Sequence, residues 1–132
     1  QYMNNMFHGA NDFNGAIDTW CVSGVKNMSE MLRGTAFDQP LANWERQPAG
    51  DVPGSSLSNV EDMGGMFRLC SAFDQDISGW DVSNVTDMSR MFEDATNFNN
   101  GDSNTDEEFV IGIPSLAITI FRFSSCIIVH VP

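Results

Sequence analysis

Three Cys, two His and eight Met are the residues of this chain best suited to attack a substrate or hold a metal. A Cys–His nucleophile needs both side chains together, because the imidazole must take the thiol proton. Cys21, Cys70 and Cys126 fall at unrelated places, and the His are His8 and His130. No C-x-x-C spacing occurs, so neither a zinc site nor a disulfide framework is supported. Carboxylates offer a second chemistry. Asp74, Asp76, Ser78 and Gly79 match the opening of an EF-hand loop. That loop closes with a bidentate Glu at its twelfth position, where this chain has Val85. The matching stretches Asn14-Gly15-Ala16 and Asp38-Gln39-Pro40 lose the ligands. These Asx residues read as turn formers, with a weak Ca²⁺ site shared between neighbouring units as the alternative. Met could serve copper or haem, but Met beside Phe or Leu at helical spacing is the pattern of core filling. There is no phosphate-binding Gly-rich loop and no G-x-S-x-G. The expectation is no cofactor and no enzyme.

The Met are periodic. They form pairs three residues apart: Met3 and Met6, Met28 and Met31, Met63 and Met66, Met88 and Met91. The pairs recur at intervals of 25, 35 and 25 residues. Phe7, Leu32, Phe67 and Phe92 follow each pair, and Phe13, Phe37, Phe73 and Phe98 come next. Trp20, Trp44 and Trp80 each lie seven residues past that second Phe. Such self-similarity is the signature of a repeat architecture. The longer interval holds an insertion, read as a surface loop at 45–56 from its Pro48, Gly50, Pro53 and Gly54.

The units must position whatever the surface does. Met88, Met91, Phe92 and Ala95 share one face of a short predicted helix. Trp80 and Val82 alternate with Asp81 and Ser83, which predicts a short strand. Phe followed by Asx reads as the turn between helix and strand. Neither element can enclose a core alone, but stacked units can, with the large apolar side chains inside. The predicted fold class is therefore α/β, a solenoid of short strand plus short helix per repeat.

The phrase WDVSNVTDMSRMF, preceded by FDQDISG, resembles the repeat of BspA-like leucine-rich-repeat surface proteins, of bacterial and mycoplasmal lipoproteins. The resemblance covers residues 3 to about 100. It implies a leucine-rich-repeat-like solenoid, secreted or displayed at the cell surface, with roles in adhesion and protein binding. Asn84 sits one place early for the asparagine ladder of the ordinary leucine-rich repeat.

The chain carries a net charge of −12 with 18% charged residues. Phosphate binding needs clustered Lys and Arg, so nucleic acid is excluded as a partner. The expected partner is a protein or a host or matrix surface, met by residues pointing out of the strand face: Asp18, Cys21, Ser23, Asp81 and Ser83. The alternative is a structural spacer within a larger protein. Asn27 and Asn84 stand in glycosylation sequons. Residues 1–100 form the predicted array of about three and a half units, opening on Gln in mid-unit, as a fragment or a processed chain would. Residues 101–108 read as an acidic linker. Residues 109–132 change composition and admit three readings. They are strands capping the array, a membrane anchor interrupted by Pro114, Arg122 and His130, or sequence foreign to the repeat protein. The abrupt break in mid-repeat favours the last.

Overall fold

The computed structural model describes residues 1–44 and 57–99 fully, and the backbone of three strands. The insertion loop and the acidic linker lie outside the described residues. Four units run in register: unit 1 over 2–26, unit 2 over 27–61, unit 3 over 62–86 and unit 4 over 87–99.

Backbone hydrogen bonds join each unit to the next. The amides of Met3, Asn5, Phe7 and Gly9 donate to the carbonyls of Asn27, Ser29, Met31 and Arg33 at 2.8–2.9 Å. Met28, Glu30, Leu32 and Gly34 donate in the same way to Asp62, Gly64, Met66 and Arg68 at 2.8–3.0 Å. Met63, Gly65, Phe67 and Leu69 donate to Asp87, Ser89, Met91 and Glu93 at 2.8–2.9 Å. The accepting carbonyl of Asn27 and the donating amide of Met28 belong to one planar trans peptide. Every such plane therefore points the same way, with oxygen toward unit 1 and hydrogen toward unit 4.

The intervening amides turn back on their own unit. Met6 bonds to Met3, His8 to Asn5 and Ala10 to Phe7, and units 2 to 4 repeat the pattern. Two positions per unit have positive φ. Asn5, Glu30, Gly65 and Arg90 lie at 53–61°, and Gly9, Gly34, Leu69 and Asp94 at 61–74°. Each is the third residue of a four-residue turn, where a type II turn requires that conformation. An α-helix cannot contain it, so the segments expected to be helical are strings of turns. The strand expected near Trp80 and Val82 is not formed either. Its amides are used locally, Trp80 bonding to Ile77 and Val85 to Val82. Parallel pairing occurs instead at single bridges, Tyr2 to Asn27 to Asp62 to Asp87. The one regular helix in 1–44 and 57–99 is a 3-10 turn at Ala42–Trp44.

The core is a set of side-chain columns. Met28, Met31, Met63, Met66, Met88 and Met91 are buried, as are Val25, Val60, Trp44 and Trp80. Within a unit the two Phe stack face to face, at 3.8 Å for Phe7 and Phe13 and 4.0 Å for Phe67 and Phe73. Between units the second Phe forms a column, with centroids at 6.1, 6.0 and 5.5 Å from Phe13 through Phe37 and Phe73 to Phe98. Each large side chain withdrawn from water contributes roughly 1.5–3 kcal/mol. Unit 1 is less covered: Tyr2 is 73% exposed and Met6 46%.

Beyond Asn99 the described backbone is a three-stranded antiparallel sheet in the order β1 (Phe109–Ile111), β2 (Ile118–Phe123), β3 (Cys126–His130). Phe109 pairs with Ile120, and Phe123 with Cys126. The abundance of Ile, Val and Phe in these segments suits a pleated backbone.

Gly34 sits at φ 70° with nothing within 4 Å of an added methyl, so its substitution isolates the backbone cost. Gly34→Ala should lower the unfolding free energy by about 1–2 kcal/mol, and Leu69→Gly should raise the urea midpoint. Equilibrium urea denaturation checks both.

Candidate interaction surface

The polar side chains facing the neighbouring units are spent on the stack. Asn14, Asp38 and Asp74 occupy the position after the second Phe. The Asn14 side-chain oxygen accepts from the Asp38 amide at 2.9 Å. Asp38 accepts from the Asp74 amide at 3.1 Å, and Asp74 from the Asn99 amide at 2.6 Å. Gln39 and Gln75 add side-chain bonds to the same oxygens, at 3.2 and 2.7 Å. These Asx residues read as turn formers in the sequence, and the amides they reach belong to the next unit.

A second column lies at the bridges. Asn27, Asp62 and Asp87 each accept the amide two residues on, from Ser29, Gly64 and Ser89 at 2.8–2.9 Å. Asn27 also donates to Asp62 at 2.8 Å. Hydrogen bonds from the Ser89 side chain and backbone hold the Asp87 carboxyl below its ordinary range. A third column joins Asn59 to the Ser23 carbonyl and Asn84 to the Ser58 carbonyl, both at 2.6 Å. The side-chain amides of both sequon residues, Asn27 and Asn84, are therefore engaged between units.

The expected partner-facing residues are not equivalent. Cys21 is exposed, with its sulfur 3.7 Å from the Ser23 hydroxyl. Asp18 is half-buried and accepts from Asn43 at 3.0 Å. Ser23 and Ser83 are half-buried. Asp81 is 8% exposed and accepts the Ser83 amide at 3.2 Å, so it is withdrawn from any partner. The alternation that placed it outward assumed a strand, which the unit does not form; Cys21, at the same phase of unit 1, stays exposed.

Of the EF-hand-like residues, Asp76 accepts the Ser78 amide at 2.9 Å and Asp74 belongs to the inter-unit column. Among the described residues no three His, Cys, Asp or Glu converge as a metal group would. Cys70 is buried, bonding the Leu32 carbonyl at 3.0 Å and lying 3.1 Å from the Thr35 hydroxyl. Burial pushes its thiol up, against the pull of the Thr35 hydrogen bond. His8 is exposed, 3.0 Å from the Asn5 side chain and 3.5 Å from Glu30.

The basic side chains of the described residues all face carboxylates. Lys26 meets Glu61 at 2.7 Å, Arg33 meets Glu30 at 2.9 Å, and Arg68 and Arg90 meet Glu93 at 3.0 and 3.5 Å. An open groove of about 280 Å³ crosses this face. It exists because unit 3 has Gly64-Gly65 where its neighbours have Ser29-Glu30 and Ser89-Arg90. In the sequence this glycine pair, inside a Met pair, reads only as a weak point of the predicted helix. Its signal was the phase: it replaces two side chains in one column.

A family model matches the chain twice, over residues 1–53 and 50–116, under the description Mycoplasma protein of unknown function, DUF285. The chain belongs to this family. The second DUF285 match runs past Asn99, where the Met–Phe–Trp periodicity stops, across the expected linker and strand β1. No curated protein and no solved structure matches the chain.

Two measurements test this arrangement in the DUF285 chain. Asp38→Ala strips the acceptor from the Asp74 amide and Gln75 and should cost about 1.5–3 kcal/mol, while Asp38→Asn keeps an oxygen there and should cost far less. Chemical denaturation of the two variants decides it. A thiol reagent should label Cys21 rapidly in the native chain and Cys70 only on unfolding, as read by site-resolved mass spectrometry.

Proposed function

We propose that this array is a non-catalytic module for protein binding or adhesion, built as a leucine-rich-repeat-like solenoid of the BspA-like kind whose units are turns in place of helix and strand, and working at the cell surface or outside the cell. The observation that carries the reading is the charge arrangement on a repeating stack. The described Lys and Arg are each held by a carboxylate, and carboxylates outnumber them on the surface. A surface with its cations neutralised and an acidic excess attracts basic partners at long range. The inter-unit ladders support the same reading, because they hold the outward residues at a constant spacing. Asp18, Cys21, Ser23 and Ser83 are the contacts that remain accessible on the side first assigned to the partner.

The test is association of the purified chain with basic matrix proteins and with host cells across a salt series. Binding should be clear at low ionic strength and fall several-fold between about 50 and 200 mM salt, since the Debye length shrinks toward the contact distance. No binding at the lowest salt would leave the spacer role in its place.

A further inference from the structure

The bridge column of Asn27, Asp62 and Asp87 has two unlike junctions. Between units 2 and 3 an amide meets a carboxylate, Asn27 donating to Asp62 at 2.8 Å. Between units 3 and 4 a carboxylate meets a carboxylate, and among the described residues no side-chain donor bridges the two. The glycine pair sharpens the difference. The hydroxyls of Ser29 and Ser89 bond Asn27 and Asp87 within their own units, whereas Gly64 has no hydroxyl to give Asp62. A methyl placed on Gly64 would stand 3.3 Å from Asp62 Oδ1, 3.5 Å from Asp87 Oδ2 and 3.5 Å from Ser89 Oγ. Three oxygens from two units thus converge over the floor of the groove.

The nearby cations are spent elsewhere. Arg68 and Arg90 line the groove, and both meet Glu93. Glu30, also in the lining, is taken by Arg33, and Lys26 meets Glu61. Asp62 and Asp87 are therefore the carboxylates of the groove that no cation among the described residues offsets. Two carboxylates fall short of the roughly six to eight oxygens that Ca²⁺ collects. Three acceptors around one point match the three N–H donors of an ammonium group. We propose that the groove over Gly64 and Gly65 receives a lysine side chain of a basic partner protein, its ammonium held by Asp62, Asp87 and Ser89. The proposal rests on the reading of the array as a protein-binding module and names the place of contact. The aliphatic stem of the lysine lies over the glycine pair, where the neighbouring units carry side chains.

The experiment titrates the full chain with a Gly-Lys-Gly peptide, acetylated and amidated at its ends, and follows backbone amide NMR shifts. Saturable shifts are expected at Gly64, Gly65 and Ser89, and none with norleucine in place of lysine. Gly64→Ser copies the residue of units 2 and 4 and fills the floor. Asp87→Asn sets an amide beside Asp62, as Asn27 does on the other side. Each variant should keep the melting midpoint of the parent and bind the lysine peptide at least about fivefold more weakly. Asp12→Asn, at an exposed carboxylate of unit 1, makes the same change in net charge and should alter binding by less than about twofold. The proposal fails if the shifts spread evenly over the exposed carboxylates, or if both variants bind as tightly as the parent. It fails too if calcium chloride alone moves the same amides at lower concentration than the peptide does. Matrix-protein binding that survives in both variants removes the groove while the module stands. A parent chain that binds no basic protein removes the module, and the peptide shifts still decide the groove.

Discussion

The structure rests on one constraint: in the Met segments, twelve inter-unit hydrogen bonds have peptide planes that all point the same way. Holding that alignment requires two residues in every unit to take positive φ. Where glycine fills the place, as at Gly9 and Gly34, the conformation is cheap. Where Leu69, Asp94, Glu30 or Arg90 fills it, each costs about 1–2 kcal/mol. The cost is met because alternate amides bond across units while the others close turns, leaving few backbone groups of the segment without partners. That double use of the chain is why the Met segments are neither helix nor strand.

The apolar columns follow from the same alignment. A fixed separation between units brings like residues into contact with like: Met over Met, Phe over Phe, Trp44 over Trp80 at 6.3 Å. Leu32 is the one departure in the first-Phe column of the four units. The column Ala10, Thr35, Cys70 and Ala95 stays small throughout, leaving room for the stacked rings. Polar columns run along the surface in step with them. Little side-chain polarity between the described units remains uncommitted, which turns attention from pockets to the outer face.

Much of this was legible in the residues. The spacing of Met, Phe and Trp located the interior, and the Phe-Asx pairs marked a turn that the structure uses as an inter-unit bond. The secondary structure was harder to read. Met88, Met91, Phe92 and Ala95 lie at helical spacing, yet the same side chains face inward from a string of turns, because both geometries return the chain to one face every three to four residues. Hydrophobic periodicity cannot separate the two. The separating signal was glycine at one phase in two units, Gly9 and Gly34, and it was masked by Leu69 and Asp94 in the others. Asp81 was misplaced for a related reason: alternation predicts sidedness when the backbone is extended, and here it is not.

The column through Asn14, Asp38, Asp74 and Asn99 uses Asn and Asp interchangeably. What each unit needs is an oxygen that accepts an amide, and both residues provide one. Architecture and electrostatic character are thereby uncoupled at that site. Mutational drift between the two residues can retune the overall acidity of the molecule, and with it the company the molecule keeps, while its framework stays as it was.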